Sequence, residues 1–390
     1  VQEIFFLFLP IAAFYGWYMG VRSVHQKNQK KGNQLTRDYV KGLNFLLNEQ
    51  PDKAVDHFIA LLDVDDETIE THLALGNLFR QNGEVERAIR IHQNLIARPS
   101  LTLEQRDLAM FQLGKDFYQA GLFDRSEETF TQLKESPEYR QVALENLLLI
   151  YQQLKDWKEA ISCTEQLSKL GKEYAKPRTL SYLYCSLADQ LSKQGQKKQA
   201  IKLYQKALKT YPECIRACLA IADYYDQEEQ FEKALEILES VPELDIDFTE
   251  VILDKLHNLH KKLGTEKKLM KFLFRVVSWG GGASSVILLS KLIAKFNSVE
   301  KAQAFILQEL RRNPTMKGFN HLMTYHLQLA KSDSEKDSLL FLQKLVSEQI
   351  KFRPGYRCKK CGYSTKKLFW QCPSCKSWGR IKPIRGLDGE

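Results

Sequence analysis

Four cysteines near the end of the chain have the types and spacing that do chemistry. They stand in Tyr356-Arg-Cys358-Lys-Lys-Cys361-Gly362-Tyr363 and in Trp370-Gln-Cys372-Pro373-Ser-Cys375-Lys-Ser-Trp378, a C-x2-C-x10-C-x2-C pattern. Each C-x2-C turn aims two thiolates at one point, and two such turns complete a tetrahedral metal site. Gly362 follows the first pair and suits the left-handed backbone that closes such a knuckle. Lys359, Lys360 and Lys376 offset the negative charge of a metal held by four thiolates. Sulfur in all four positions leaves no place for substrate on the metal. The pattern therefore predicts one metal ion, iron or zinc, with Cys358, Cys361, Cys372 and Cys375 as ligands. Its role is structural, or at most redox, and not hydrolytic. Four unligated cysteines is the competing reading, and this spacing argues against it.

The other four cysteines, Cys163, Cys185, Cys214 and Cys218, are scattered through helical sequence. Cys214 and Cys218 fall on one helix face, but two thiols alone read as buried core rather than metal ligands. His257 and His260 form a similar helical pair and, lacking a third ligand, read as a solvated face. The scatter does not resemble a disulfide framework and fits a reducing compartment.

Charge follows the same division. The formal net charge is +9, and residues 351–390 hold eleven Lys/Arg against two Asp/Glu. The body is neutral and the tail is basic. Four thiolates on a divalent ion would lower the tail to about +7.

These features need elements to position them. At the other end, Ile4 to Val21 is an uncharged run of eighteen residues, IFFLFLPIAAFYGWYMGV. Its length is at the short end for a spanning helix. Tyr15, Trp17 and Tyr18 lie where an interfacial aromatic belt would sit, and Arg22, Lys27, Lys30 and Lys31 follow. A signal peptide would carry its basic residues before the apolar stretch and a small-residue cleavage site after it, and neither is present. The run predicts a transmembrane anchor over 1–21, a basic juxtamembrane linker over 22–36, and a chain whose bulk lies on the cytoplasmic side. Val1 stands where a start Met is expected, consistent with an alternative start codon.

Between anchor and cysteines the chain repeats itself. Small residues recur at Ala54, Ala88, Ser126, Ala160, Ala200 and Ala234, spaced 34 to 40 apart and most often 34. Gly42, Gly76, Gly114, Ala188 and Ala222 stand twelve residues before five of them. Antiparallel helices cross closely only where small side chains face each other, and a period near 34 is that of tetratricopeptide helix pairs. Asn82-Gly83 and Gln194-Gly195 mark turns with a left-handed cap. After residue 250 the pattern decays, with Leu263-Gly264 and Ala302 to Pro314 as degenerate copies. Trp279-Gly280-Gly281-Gly282 reads as a loop, because no Lys-Ser/Thr follows to make a phosphate cradle. The predicted fold is all-α: a tetratricopeptide solenoid over 37–350, then a small rubredoxin-like or zinc-ribbon metal domain and tail over 351–390. Repeat grooves are lined mainly by first helices, which marks Asn77 and Arg80 as exposed partner-contact candidates.

The stretches LPIAAFYGWYMG, RDYVKGLNFLLNEQPDKAVDHF, LGNLFRQNGEVERAIRIHQ and YRCKKCGY…WQCPSCKSWGRIKPIRGLDG together resemble the lipopolysaccharide assembly protein B family, across essentially the whole chain. The resemblance implies an inner-membrane adaptor of Gram-negative bacteria that restrains lipopolysaccharide synthesis. Its implied partners are the membrane protease FtsH, the deacetylase LpxC, whose degradation it promotes, and a membrane lipopolysaccharide sensor. It also implies a rubredoxin-like tail. True rubredoxins separate their two knuckles more widely, which argues against electron transfer but not against metal binding.

Two other function classes stay open on the residues alone. A basic tail with Tyr356, Tyr363, Phe369 and Trp370 interleaved suits a nucleic-acid-binding zinc ribbon, but the neutral body and the anchor oppose it, so no nucleic acid is expected. Iron at the four cysteines would suit a redox carrier. No nucleophile, catalytic dyad or zincin motif is present, so the chain reads as a non-enzyme.

Overall fold

The structure, a computed structural model, describes residues 15, 17–19, 40–45, 51–60, 69–99, 101–330 and 332–390. The expected anchor and linker lie outside the described residues, apart from Tyr15 and Trp17 to Met19, which are helical and exposed. Among the described residues no helix is long and apolar enough to cross a membrane. The chain divides into two compact units, Val1–Leu154 and Lys155–Glu390.

The first unit holds α1 (Pro51–Ala60), α2 (Ile69–Gln81), α3 (Val85–Ile96), α4 (Leu103–Gln119), α5 (Phe123–Leu133) and α6 (Arg140–Leu154). Helix pairs pack through the small residues that mark the repeat. Ala54, Ala88 and Ser126 are fully buried. A Cβ on Gly76 would fall 2.4 Å from the His92 ring, and one on Gly114 would fall 2.7 Å from Phe130. The large side chain on the second helix thus occupies the space that glycine leaves on the first.

The second unit holds α7 (Trp157–Leu170), α8 (Pro177–Lys193), α9 (Lys197–Thr210), α10 (Ile215–Gln227), α11 (Phe231–Leu244), α12 (Thr249–Lys262), α13 (Glu266–Ser278), α14 (Ala283–Phe296), α15 (Val299–Arg312), α16 (Met316–Leu329) and α17 (Asp333–Phe352). A three-stranded antiparallel sheet follows, made of β1 (Tyr356–Cys358), β2 (Ser364–Thr365) and β3 (Ile381–Pro383) in the order β2-β1-β3. Ala160, Ala200 and Ala234 are buried here as in the first unit, and one continuous core runs from Ile215 to Tyr325.

One turn is used again and again. The N–H of Glu84 donates to Phe79 O, Leu122 to Phe117, Gln196 to Leu191, Gln230 to Tyr225, Thr265 to His260 and Gly281 to Val276. This is the closing bond of a Schellman cap, which requires a left-handed residue just before its donor. Gly83 and Gly195 fill that place as expected, and Glu229 fills it with φ 57°. The helical pairs therefore continue past residue 250, where the sequence pattern fades. Ala302 is fully buried, and Leu256, Leu273, Leu289 and Ile306 supply the packing that the small residues no longer announce.

Arg80 corrects an expectation. It is buried and not on an open groove: its guanidinium donates to Asp116 Oδ1 at 2.8 Å, to Gln112 Oε1 at 2.8 Å and to Asn77 Oδ1 at 2.5 Å. His92 Nδ1 binds the other oxygen of Asp116, and both side chains are fully buried. Asn77 is half-buried and engaged by Arg80. His260 is also buried rather than solvated, with Nδ1 2.8 Å from the Thr265 hydroxyl.

Candidate metal centre

The two cysteine turns are alike in backbone. Gly362 N–H donates to Cys358 O at 3.0 Å, and Lys376 N–H donates to Cys372 O at 2.9 Å. Each donor follows the second cysteine of its turn and has a left-handed backbone, with φ 79° at Gly362 and 56° at Lys376. The first turn grows out of β1, whose register places Cys358 opposite Ile381 of β3. The second is closed by Cys372 N–H donating to Ser377 O. Cys358, Cys372 and Ile381 form the small core of this domain, with Tyr356 and Leu368 against it.

The four sulfurs come together as the spacing predicted. All lie within 4.8 Å of one another, with Cys358 and Cys375 3.8 Å apart and Cys361 and Cys372 3.6 Å apart. A tetrahedral ion with metal–sulfur bonds of about 2.3 Å needs sulfurs about 3.8 Å apart, so the cage fits zinc or iron. The Ser377 hydroxyl, 3.4 Å from its sulfur, holds the Cys375 thiol down at about 6, while burial pushes Cys372 up to about 11. Cys361 is exposed and Cys358 and Cys372 are buried, so the cage lies with one edge toward solvent.

The tail is seated on the helices of its own unit. Trp378 is buried, stacked on Tyr182 of α8 with ring centroids 5.7 Å apart, and edge-on to Trp157 of α7 at 6.4 Å. Trp370 stacks on Phe248 at 5.9 Å and tilts against Tyr182 at 6.1 Å. Lys382 bridges Asp245 at 2.7 Å and Asp247 at 3.2 Å, and Arg385 bridges Asp247 at 2.6 Å. Burial raises the Asp247 carboxyl, but the Lys382 hydrogen bond and the two cations outweigh it and the net shift is downward. A Cβ on Gly379 would lie 2.4 Å from the Tyr182 hydroxyl, so the tail backbone itself presses on that ring. Farther on, Glu390 accepts from the Ser284 backbone N–H at 2.8 Å and its hydroxyl at 2.7 Å, at the start of α14.

The sequence located the cage but not the seat. Tyr182, Asp245, Asp247 and Phe248 lie more than a hundred residues before the tail, the first in a helix and the others in the short connection before α12. The available signal was the pair of tryptophans beside the cysteines, too apolar to be left in water. Of the aromatics expected to be free for stacking, Trp370 is consumed by the seat and Tyr356 is half-buried, while Tyr363 and Phe369 stay exposed.

Known proteins share this organisation. Residues 356–383 match the family model for a rubredoxin metal binding domain, and 71–106 and 191–251 match models for the tetratricopeptide repeat. Over 387 residues the chain is 43% identical to lipopolysaccharide assembly protein B of Escherichia coli strain K12, covering 99% of both chains. The chain belongs to the lipopolysaccharide assembly protein B family. The family protein of Haemophilus influenzae is 41% identical over 395 residues, again covering 99% of both. Among solved structures, the MamA protein is 19% identical with a TM-score of 0.34, over 47% of this chain and 96% of that one. For this member of the family, the rubredoxin-type match and the sulfur geometry together give one bound metal ion at the tail.

Proposed function

We propose that this chain is a membrane-anchored, non-catalytic adaptor that regulates lipopolysaccharide biosynthesis at the inner membrane. It does so by presenting the LpxC deacetylase to the membrane protease FtsH, under the control of a membrane lipopolysaccharide sensor. One observation carries the reading: the end-to-end relation to lipopolysaccharide assembly protein B, which spans the repeats and the metal domain alike. Ile4 to Val21 is the anchor, 22–36 its basic linker, and the rest lies on the cytoplasmic side. Tethering raises the effective concentration of partners in the same membrane.

Cys358, Cys361, Cys372 and Cys375 are the metal ligands. The ion supplies cross-linking of the two turns. The chain's own aromatics then fix the tail on α7, α8 and the turn before α12, which supports a rigid presenting surface over a free nucleic-acid ribbon. A cleft of about 260 Å³ between α8, α9 and α10, lined by Asp189, Tyr204, Asp223 and Tyr224, is the better candidate for partner contact than Asn77 and Arg80.

The test is to deplete the protein in its own cell and follow LpxC by quantitative immunoblot. LpxC should accumulate, and re-expression of the intact chain should return it to its starting level. Unchanged LpxC turnover on depletion would remove the mechanism. Co-purification of FtsH with the intact but not the anchor-deleted chain would support the tethering step.

A further inference from the structure

Beneath the seated tail lie two cysteines that the metal centre does not use. Cys185, in the middle of α8, and Cys214, the residue that caps α10, are separated by 29 positions, yet their sulfurs are 3.8 Å apart and both residues are fully buried. Cys185 follows Ser181 and Tyr182 by one helical turn, so the pair sits behind the ring that carries Trp378. A disulfide needs its sulfurs at about 2.05 Å, so closing the pair asks for an approach of about 1.8 Å.

The surroundings divide the labour between the two sulfurs. Cys214 lies at the N-terminal end of α10, where the helix dipole and the Ala217 backbone N–H favour an anion. The Cys185 thiol, the Ser181 hydroxyl and the Arg216 guanidinium also favour its thiolate, and they outweigh burial. The hydrogen bond to Cys214 and burial hold Cys185 as the thiol. Cys218, one turn into α10, is pushed up to about 12 by burial and is not a competing nucleophile. A polar cavity of about 100 Å³ is lined by Arg178, Tyr182, Tyr211 and Glu213; neither sulfur lines it, so a small oxidant held there reaches Cys214 only when the packing around Tyr182 and Glu213 opens.

We propose that Cys185 and Cys214 form an oxidation site that a small hydroperoxide converts to a disulfide linking α8 to α10. Cys214 sulfur attacks the terminal oxygen of the hydroperoxide. The O–O bond breaks, the alcohol leaves with a proton, and Cys214 becomes a sulfenic acid. Cys185 sulfur then attacks Cys214 sulfur, the S–O bond breaks, and the hydroxyl leaves as water with the Cys185 proton. Two thiols lose two electrons and one hydroperoxide becomes one alcohol and one water. Reduction by a dithiol reverses the bond.

The test uses the full-length, metal-loaded chain. It is treated with tert-butyl hydroperoxide at neutral pH, quenched with iodoacetamide, unfolded and digested. Mass spectrometry should find the Cys185 and Cys214 peptides joined and lighter by two hydrogens. Free thiols, eight in the reduced and unfolded chain, should fall by two while the metal remains, and dithiothreitol should restore them. In Cys185→Ser, a dimedone adduct should appear on Cys214. Both cysteines remaining alkylatable at peroxide doses that already eject the metal would overturn the proposal. So would a dominant Cys214–Cys218 link, or Cys214 sulfinic acid with Cys185 still free. The native-chain measurement decides the matter even where the Ser variant does not fold.

Discussion

Trp378 and Tyr182 stack with their ring planes 23° from parallel, joining the metal-binding tail to a helix nearly two hundred residues earlier in the chain. Both rings are buried, so neither is available to a partner, and the contact defines how the tail is held. Cutting a buried aromatic back to Ala removes about 3–5 kcal/mol of packing. Tyr182→Ala should therefore release the tail from α8 without removing a metal ligand. Hydrogen exchange over 356–383 should quicken while the metal content stays at one per chain. Unchanged exchange would show that Trp370 on Phe248 and the ion pairs suffice.

The ionic half of the seat sets a pH dependence. Asp247 has a depressed carboxyl when the tail is docked, so its contribution is present above the ordinary carboxylate range and lost as pH falls through the docked value. Lys382, lowered by burial but raised more by Asp245 and Asp247, is raised overall, so its contribution is lost only well into alkali. Docking should hold through neutral pH and weaken in acid. Asp247→Asn should reproduce the acid effect at pH 7 and flatten the acid side of the profile. Tryptophan fluorescence of the seat reports both.

What could be read beforehand was whatever is local. The cage is legible because its four ligands sit within eighteen residues, and the early repeats because Gly76, Gly114 and Ala88 must be small where helices cross. The seat was not legible, because Asp247 and Phe248 look like any helix-flanking residues until Lys382 and Trp370 meet them. Helices α12 to α16 were only half legible, since packing there uses Leu, Ile, Val and Phe of different sizes instead of a fixed small residue. Arg80 misled for a related reason. A charged residue on a first helix reads as exposed unless its buried partner, Asp116, is known.

That buried group makes its own prediction. Removing one partner of a buried, hydrogen-bonded ion pair costs about 3–5 kcal/mol, because the remaining charge stays in the protein interior. Arg80→Ala should strip Asp116 of a 2.8 Å partner and lower the thermal midpoint of the first unit. Arg80→Lys should recover little, since one ammonium cannot reach Asn77, Gln112 and Asp116 together. A loss of partner binding at unchanged stability would instead return Arg80 to the role of a contact residue.

The two cysteine turns differ at one position that tests the local backbone. Lys376 holds a left-handed conformation that Gly362 holds without a Cβ. For a non-glycine residue that conformation costs about 1 kcal/mol or more, partly offset by the freedom glycine loses on folding. Lys376→Gly should leave metal binding intact and slow metal loss to a chelator severalfold. Gly362→Ala should quicken it. Faster loss in Lys376→Gly would mean that the lysine charge beside the thiolates outweighs its backbone strain.

Metal removal is the last and most direct test, and it separates the tail from the repeats. Cys372→Ser takes one thiolate from a closed cage whose ion contributes folding energy directly. Within itself the domain has little else to hold its fold: its core is Cys358, Cys372 and Ile381 with Tyr356 and Leu368 against them, and its strands are two or three residues long. The helices keep an independent core running from Ile215 to Tyr325. Far-UV helicity should therefore stay nearly unchanged, while elemental analysis shows the ion lost and hydrogen exchange over 356–383 approaches that of an unfolded chain. Trp378 should leave Tyr182 at the same time, so the tryptophan fluorescence change expected in acid should recur. Lipopolysaccharide regulation should fail in the Ser variant as it should on depletion. Retained regulation in a metal-free Cys372→Ser chain would make the metal domain dispensable and leave the helical repeats and the proposed anchor to act alone. Collapse of helicity would show instead that the seat, and not only the tail, depends on the ion.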